Sequence, residues 1–164
     1  MELVVKPFSG LSTAELYEIL RLREAVFIVE QNCPYPEADG QDYDAVHLFY
    51  AEGDAGDGRG PGAGLGSSSC PGRVKAYLRL FWKPGEPGTV QVGRVVTVRD
   101  VRGTGLGRRI LQEGIRYATE TMGAARLCLH AQVQASGFYA KEGFEVSSDV
   151  FLEDDIPHVE MRRG

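Results

Sequence analysis

Hydrophobic positions along the chain follow two spacings, one typical of strands and one typical of helices. Segments rich in β-branched and aromatic residues predict five strands, at "ELVVKPF", "AVHLFYAE", "RVKAYLRLFW", "GTVQVGRVVTV" and "ARLCLHA". Two later segments, "FEVSSDVFLE" and "HVEMRR", predict one further strand each.

Apolar residues at helical spacing predict helices in three other places. Ser12 followed by Glu15 is the sequence pattern of a capping box, and it begins a helix predicted from about 13 to 30. A second helix is predicted from about Gly105 to Met122, and a shorter one in "QVQASGFYAKEG" ends at Gly143. The resulting order, β-α-β-β-β-α-β-α-β-β, predicts an α/β fold in which a mixed central sheet carries helices on both faces.

Length, composition and charge narrow the class of protein. The 164 residues, 43% of them apolar, fit a single domain spanning 1–164. The net charge of -5 argues against a nucleic-acid partner, because neutralising phosphates needs an excess of Lys and Arg. No apolar run is long enough to span a membrane and the first residues lack a signal-peptide pattern, so we expect a cytoplasmic protein without a membrane partner.

Two compositional features lie outside this pattern. The segment at about 53–72, "GDAGDGRGPGAGLGSSSCPG", offers no apolar face to bury and is predicted to be a flexible loop. The three cysteines, Cys33, Cys70 and Cys128, follow no metal-ligand spacing, so the sequence predicts neither a metal site nor a disulfide. Cys128 lies in the apolar run "RLCLHA" and is expected in the core.

The segment "VRDVRGTGLGRR" carries the strongest chemical signal. A strand enters a glycine-rich turn that begins a helix, which is the geometry that binds a phosphate group at the free N–H groups of a helix N-terminus. A Walker A loop would need Lys-Ser/Thr after Gly107, and a Rossmann loop would need its third glycine one residue later and an acidic residue after the next strand. The alternative is a glycine-rich turn used only for close packing of strand and helix.

The spacing Arg102-x-x-Gly105-x-Gly107 resembles the pyrophosphate loop of the GNAT (Gcn5-related) N-acetyltransferases. "FYAKEGFE" is similar to a segment of that family, and "LRLREAVFIVEQNCPYPEADGQD", "HAQVQASGFY" and "FLEDDIPHVEMRR" resemble its ElaA-like branch. The resemblance covers nearly the whole chain apart from the glycine-rich segment and the first few residues. It implies the GNAT fold and transfer of acetyl from acetyl-CoA to a primary amine by direct attack, without a metal.

The resemblance also implies a binding site for acetyl-CoA. The strand before the loop would pair with the pantetheine arm, and a backbone N–H near Val96 would face the thioester oxygen. The loop N–H groups would bind the pyrophosphate, and the Gln132 amide would replace an asparagine that bonds the pantetheine in many relatives. Arg99 stands where relatives often have proline. The implied site comprises Val96, Thr97, Val98, Arg102, Gly103, Thr104, Gly105, Leu106, Gly107, Arg108, Gln132 and Tyr139.

The catalytic groups follow less directly. The resemblance makes Tyr139 the general acid that protonates the leaving thiolate, and aromatic packing is the alternative role for this residue. The general base stays open among Glu30, His47, Asp154 and His158, and the acidic run from Glu153 to Asp155 would attract a cationic amine.

The partner is expected to be a small-molecule or peptide amine whose identity the sequence does not specify. A homodimer is a further expectation, since members of the family frequently dimerise. A non-catalytic acyl-CoA-binding sensor on the same fold is the alternative function.

Overall fold

A computed structural model describes residues 1–53 and 72–164 of the chain. The flexible loop predicted at about 53–72 lies, with Cys70, outside the described residues apart from its two end residues. Within the described ranges, no helix is long and apolar enough to cross a membrane.

One mixed sheet organises the described residues. Its strands are β1 (Glu2–Pro7), β2 (Val46–Ala51), β3 (Val74–Trp82), β4 (Thr89–Thr97), β5 (Arg126–Gln132), β6 (Glu145–Val146), β7 (Phe151–Glu153) and β8 (Ile156–Arg163). Their order in the sheet is β1-β2-β3-β4-β5-β8-β6, and β7 pairs separately with β8. Neighbouring strands are antiparallel except β4 and β5, which are parallel, so the predicted mixed sheet is confirmed.

The single strand predicted at "FEVSSDVFLE" is wrong, because β6 and β7 are two separate short strands along the same edge of β8. Between them, the Ser148 hydroxyl accepts the hydrogen bond of the Glu160 N–H at 2.8 Å. A side chain therefore replaces a strand carbonyl at this point and interrupts the ladder.

The first two helices have the extents that the sequence predicts, with a change of winding that it does not. The third helix is shorter than predicted and ends at Ala140, three residues before Gly143. The three helices are α1 (Thr13–Arg23), α2 (Leu106–Arg116) and α3 (Ser136–Ala140). The predicted capping box is present, with reciprocal bonds between Ser12 and Glu15 of 3.1 and 2.8 Å. Two π-helical segments, Glu24–Glu30 and Tyr117–Thr121, extend α1 and α2 to the predicted ends.

Helices cover both faces of the sheet, as predicted. On one face Ile19, Leu22 and Val26 pack against Phe49, Tyr77 and Val96. On the other face α2 contributes Ile110, Leu111 and Ile115 to the larger apolar cluster. Cys128 is fully buried, which confirms its expected position.

Candidate active site

A cleft opens where two neighbouring strands separate. β4 and β5 pair only from Thr89 and Arg126 to Gln91 and Cys128. Farther along, β4 continues beside β3 and β5 continues beside β8, so the gap between them is left open. The cleft has a volume of about 300 Å³ and is lined by both strands, the loop after α1, α3 and the β7–β8 hairpin.

A β-bulge in β4 lies at this separation. The pairing of β3 with β4 changes register between Tyr77 and Arg79 of β3. These residues are two apart, but their partners on β4, Val96 and Gly93, are three apart. Arg94 and Val95 of β4 therefore face the single residue Leu78 of β3, and the φ of Arg94, 55°, lies in the left-handed region. A bulge bends its strand locally, so it turns β4 away from β5 where the cleft begins.

The loop before α2 presents a row of free backbone N–H donors. Gly103 and Gly105 have φ of 80° and 87°, a backbone that favours glycine. The first helical hydrogen bond is donated by the N–H of Arg109 to Gly105, and the Thr104 N–H bonds Val101 at 3.3 Å. Five N–H groups donate to no other described residue, those of Gly103, Gly105, Leu106, Gly107 and Arg108.

At the end of β4, the backbone N–H and C=O groups of Thr97 point away from β3 and toward the cleft. The N–H of Val98 donates to the Lys75 carbonyl on β3 at 2.9 Å. Because hydrogen-bonding directions alternate along a strand, the polar groups of Thr97 point the other way. The Thr97 carbonyl accepts a bond from Arg102 at 3.3 Å, in agreement with that direction. The Val96 side chain packs against α1 in the core.

Glu30, a candidate base, pairs with the loop. Its carboxylate receives two hydrogen bonds from the Arg102 guanidinium, at 2.5 and 3.0 Å. This bond lowers the pKa of Glu30, which makes it a weaker base. Glu30 is exposed and does not line the cleft, whereas Arg102 does. The structure therefore places Glu30 outside the cleft lining, where its carboxylate bonds Arg102 of the loop.

Two further predicted binding residues have partners within the protein. Arg108 bonds the Glu142 carboxylate, which also accepts a 3.0 Å bond from Gln112. Gln132 lines the cleft and donates to Gln31 at 3.0 Å, which joins β5 to the loop after α1. The Arg108 side chain is thus engaged at the surface, while Gln132 spans the cleft.

Tyr139 lies in the cleft with its hydroxyl free. Its ring packs edge-on against Phe138 and Phe144, and the hydroxyl bonds no other described residue. Burial raises the pKa of Tyr139 to about 12. The phenol therefore remains protonated at neutral pH and can donate a proton into the cleft.

His158 also lines the cleft, on β8. Its Nδ1 lies 2.6 Å from the Ile156 carbonyl. A carbonyl can only accept, so Nδ1 carries the proton and Nε2 of the neutral ring has a free lone pair. The Glu153 carboxylate lies 3.5 Å from this Nε2. His158 is thus a candidate base that lines the same cleft as Tyr139 and has a nitrogen able to accept a proton.

His47 is excluded as a base by its position. It is fully buried on β2 and does not line the cleft. Its Nε2 donates to the Asp42 carbonyl at 3.0 Å, so Nδ1 accepts the bond from the Tyr77 hydroxyl at 2.8 Å. Burial lowers the pKa of His47 and both nitrogens are occupied, which makes it a structural residue.

The β7–β8 hairpin meets the loop after α1 across the cleft. Asp154 and Asp155 form its turn, with φ of 51° and 60°. The Asp154 carbonyl accepts a bond from the Cys33 thiol at 3.5 Å, and the Asp155 carboxylate bonds the Tyr35 hydroxyl. Asp154 lines the cleft, and its carboxylate bonds no other described residue. The hairpin therefore places an unpaired carboxylate at the cleft.

Buried ion pairs hold the loop after α1 in place. Arg23 and Arg79, only 0% and 2% exposed, both donate to Asp42 at 2.8 Å. Arg23 also bonds Glu37 at 2.9 Å, and Arg94 from the β4 bulge reaches the same carboxylate at 2.5 Å. Helix, sheet and loop are thus joined behind one wall of the cleft.

Arg79 also pairs with Asp39 of the same loop, and acid should weaken this ion pair. Although burial by itself raises the pKa of Asp39, hydrogen bonds from Arg79 lower it to about 2. A carboxylate with a lower pKa in the folded chain stabilises the fold above the unfolded value of about 4, and that contribution is lost toward the folded value. We expect the free energy of unfolding in urea to fall between about pH 4 and pH 2, and to fall less in Asp39→Asn. Equal slopes for the two proteins would exclude Asp39 as the cause.

Sequence reasoning missed several cleft residues. Glu37 and Arg94 line the cleft, yet they belong to a loop and a strand with no motif. Arg23 occupies a position of the helical repeat that is otherwise apolar, and this position could have predicted that its charged side chain is buried. His130 lies two positions before Gln132 on β5, so strand alternation alone places both on one face.

Comparisons with known proteins agree with this geometry. A family model described as an acetyltransferase (GNAT) domain matches residues 85–163. A UPF0039 protein of Schizosaccharomyces pombe is 36% identical over 163 residues, covering 99% of this chain and 96% of the relative.

Two solved structures share the fold over nearly their whole length. An acyl-CoA N-acyltransferase from Pseudomonas aeruginosa has a TM-score of 0.83 at 34% identity, with 100% of both chains covered. Escherichia coli ElaA has a TM-score of 0.82 at 30% identity, with 99% of both chains covered. The chain therefore belongs to the GNAT acyltransferase family, in its ElaA-like branch.

Proposed function

We propose that this protein transfers an acetyl group from acetyl-CoA to a primary amine by direct attack of the amine on the thioester. The observation that carries the proposal is the gap between β4 and β5, a cleft lined by Tyr139, by His158 and by Arg102, the residue at which the phosphate-type loop begins. A ligand in this gap would contact groups for binding, proton donation and proton removal together.

The loop before α2 and the end of β4 offer hydrogen-bonding groups that match those of coenzyme A. The five free N–H groups at the start of α2 match a pyrophosphate, because they are unpaired donors at the positive end of a helix dipole. The peptide edge of Thr97 provides hydrogen-bonding groups for the amides of a pantetheine arm, in the manner of an added strand. Bound acetyl-CoA would supply the thioester.

Tyr139 supplies the proton of the leaving thiolate. Burial disfavours the phenolate, so the hydroxyl keeps its proton until a thiolate forms beside it. The Tyr139 hydroxyl bonds no other described residue, so it is free to donate to the sulfur. The free hydroxyl supports the proposed acid role of Tyr139 in addition to its packing role.

The base and the amine belong to the opposite side of the cleft. His158 Nε2 accepts the proton of the ammonium group, since Nδ1 already donates to Ile156. The free carboxylate of Asp154 attracts the cationic amine before it is deprotonated. Asp154 is thereby assigned to recruitment of the acceptor and His158 to proton removal.

An amine-dependent thiol-release assay tests this function. Purified protein is incubated with acetyl-CoA and a library of primary amines, and free coenzyme A is detected with a thiol reagent. Release that depends on the amine supports the transferase. Tight binding of acetyl-CoA without release indicates the sensor function, and release without any amine indicates a thioester hydrolase.

Replacing Gly107 by glutamate should weaken coenzyme A binding about 30-fold, because a carboxylate beside the loop repels the pyrophosphate and disturbs charge-assisted bonds worth about 2 kcal/mol. The fold should survive, since a Cβ at this position would lie 3.5 Å from Thr97 Cγ2 in ordinary contact. Isothermal titration calorimetry with coenzyme A measures the change.

Gly10→Glu is the matched control. It adds the same charge at an exposed position outside the cleft, where a Cβ has room at 3.4 Å from the Pro7 ring. The control should bind coenzyme A as the wild type does. Unchanged affinity in Gly107→Glu would contradict the assignment of this loop to the pyrophosphate.

A further inference from the structure

Glu153 lies between two histidines at the acceptor side of the cleft. Its Oε1 accepts a bond from His130 Nδ1 at 3.1 Å, and its Oε2 lies 3.5 Å from His158 Nε2. The Phe151 ring packs against both imidazoles, with centroids 5.2 Å from His130 and 6.1 Å from His158. The three polar side chains therefore form one cluster, which we call the His-Glu-His cluster.

Strand pairing brings the cluster together. His158 on β8 is opposite Phe151 on β7, and Glu153 follows Phe151 by two residues on the same face. On its other side β8 pairs with β5, where His130 is opposite Glu160. Because three adjacent strands supply one member each, the cluster is part of the sheet and not of a loose loop.

When His158 is neutral, neither its Nε2 nor the Glu153 carboxylate carries a proton. With Nδ1 donating to Ile156, Nε2 of neutral His158 is an acceptor 3.5 Å from the Glu153 carboxylate, and two acceptors cannot bond one another. A proton on Nε2 would turn this 3.5 Å contact into a charge-assisted hydrogen bond. The geometry thus favours uptake of a proton at Nε2.

We propose that Glu153 is a positioning residue that orients His158 and stabilises its protonated ring when it takes a proton from the acceptor amine. His130 in turn holds the Glu153 carboxylate by donating from Nδ1. This inference rests on the proposed function, because it assigns the proton-holding unit of the same site.

The proton balance of the step is complete. The ammonium form of the acceptor loses one proton to His158 Nε2, which passes it to solvent after turnover. The neutral amine forms the new C–N bond as the C–S bond breaks. Tyr139 gives its proton to the thiolate, and the second proton released from the nitrogen restores the Tyr139 hydroxyl through water.

Charges around the cluster favour an ionised Glu153. The hydrogen bond from His130 lowers the pKa of Glu153, and the positive charge of Arg94 acts in the same direction. Glu160 lies 3.9 Å from His130 Nε2, on the far side of that ring. Other titratable or charged groups that line the cleft include Cys33, Tyr35, Glu37, Arg94, Tyr139 and Asp154.

The substitution Glu153→Gln tests the proposal, because the amide keeps the shape and the acceptor for His130 but removes the charge. Glu145→Gln is the matched control, since Glu145 is exposed on β6 and pairs with no other described side chain. All the other charges around His158 are unchanged in both variants.

The first measurement is a proton NMR titration of the imidazoles in the full-length protein without ligand. The chain has three histidines, so loss of one signal in His158→Gln assigns His158. We expect Glu153→Gln to lower the titration midpoint of His158 by about half a pH unit, the size of an exposed ion pair. Glu145→Gln should leave the midpoint in place.

The second measurement is turnover with an amine found in the thiol-release assay. We expect Glu153→Gln to lower kcat about tenfold, to leave the KM for acetyl-CoA unchanged, and to move the acidic limb of the pH profile of kcat to lower pH. The direction follows because His158 without the carboxylate loses its proton more readily and is a weaker base.

An unchanged titration midpoint overturns the proposal whether or not turnover is found. A lowered midpoint with wild-type kcat and pH profile overturns the part of Glu153 in proton removal. Wild-type protein that releases no thiol with any amine overturns the proposed function and the catalytic half of this inference. In that case the titration still decides whether Glu153 stabilises the proton on His158.

Discussion

Replacing Tyr139 by phenylalanine is expected to lower kcat about 100-fold, the usual contribution of a positioned general acid, and to leave the Kd for acetyl-CoA unchanged. The substitution removes one hydroxyl that bonds no other described residue, so no internal hydrogen bond is lost. The ring contacts with Phe138 and Phe144 are retained. Steady-state kinetics by thiol release and calorimetry with acetyl-CoA separate the two quantities.

The pattern of change distinguishes the acid role from a packing role. Loss of packing would weaken binding and lower the free energy of unfolding together, whereas loss of the proton donor acts on kcat alone. Tyr43→Phe is a control that removes an exposed hydroxyl outside the cleft. Wild-type turnover in Tyr139→Phe would remove the acid role and leave only the aromatic contacts.

Replacing Asp42 by asparagine is expected to lower the free energy of unfolding by about 3 kcal/mol, the scale observed when one partner of a buried ion pair is removed. Asp42 is the common acceptor of Arg23 and Arg79, both almost fully buried. The amide keeps the size of the side chain but leaves two buried guanidinium groups with too little negative charge.

Urea denaturation measures this effect, and Asp44→Asn is its control. Asp44 lies two residues away, is exposed, and pairs with no other described side chain. The control should unfold at the wild-type midpoint. If Asp42→Asn also unfolds at that midpoint, then the ion pairs behind the cleft wall do not contribute to stability.

The substitution Asp42→Asn should also alter the shape of the cleft. The loop that carries Glu37 is bonded to Arg23 and Arg94, so a shift of the guanidinium groups moves one wall of the cleft. The same loop bonds the β7–β8 hairpin, which carries Asp154, the residue proposed to recruit the amine. A variant that remains folded should therefore change the KM for the amine more than that for acetyl-CoA.

Local signals predicted the elements well because their causes are local. The capping box of Ser12 and Glu15 is formed by residues three apart, and it begins α1 where the pattern places it. The backbone before α2 is left-handed at two glycines, and glycine adopts this conformation readily because it has no Cβ, which is a property of the residue alone. The failure at "FEVSSDVFLE" has the opposite cause, since a bond between Ser148 and the distant Glu160 interrupts that strand.

Candidate catalytic residues were harder to rank, because their chemistry depends on partners far away in sequence. Glu30 and His47 had the right side chains for a base. Glu30 is bonded by Arg102, 72 residues later, and His47 by Tyr77, 30 residues later. No spacing rule predicts such pairs, because they arise only when strands and helices pack.

The sequence by itself determined the family, the order of the elements as far as α3 and the loop that precedes α2, since these follow from short-range patterns and from motif spacing. The tertiary structure alone decided which titratable groups reach the cleft. It buried His47, bonded Glu30 to Arg102, and placed Glu153 between His130 and His158. The reason is physical: the proton affinity of a side chain depends on the charges and the burial around it, and those are set by residues that only folding brings together.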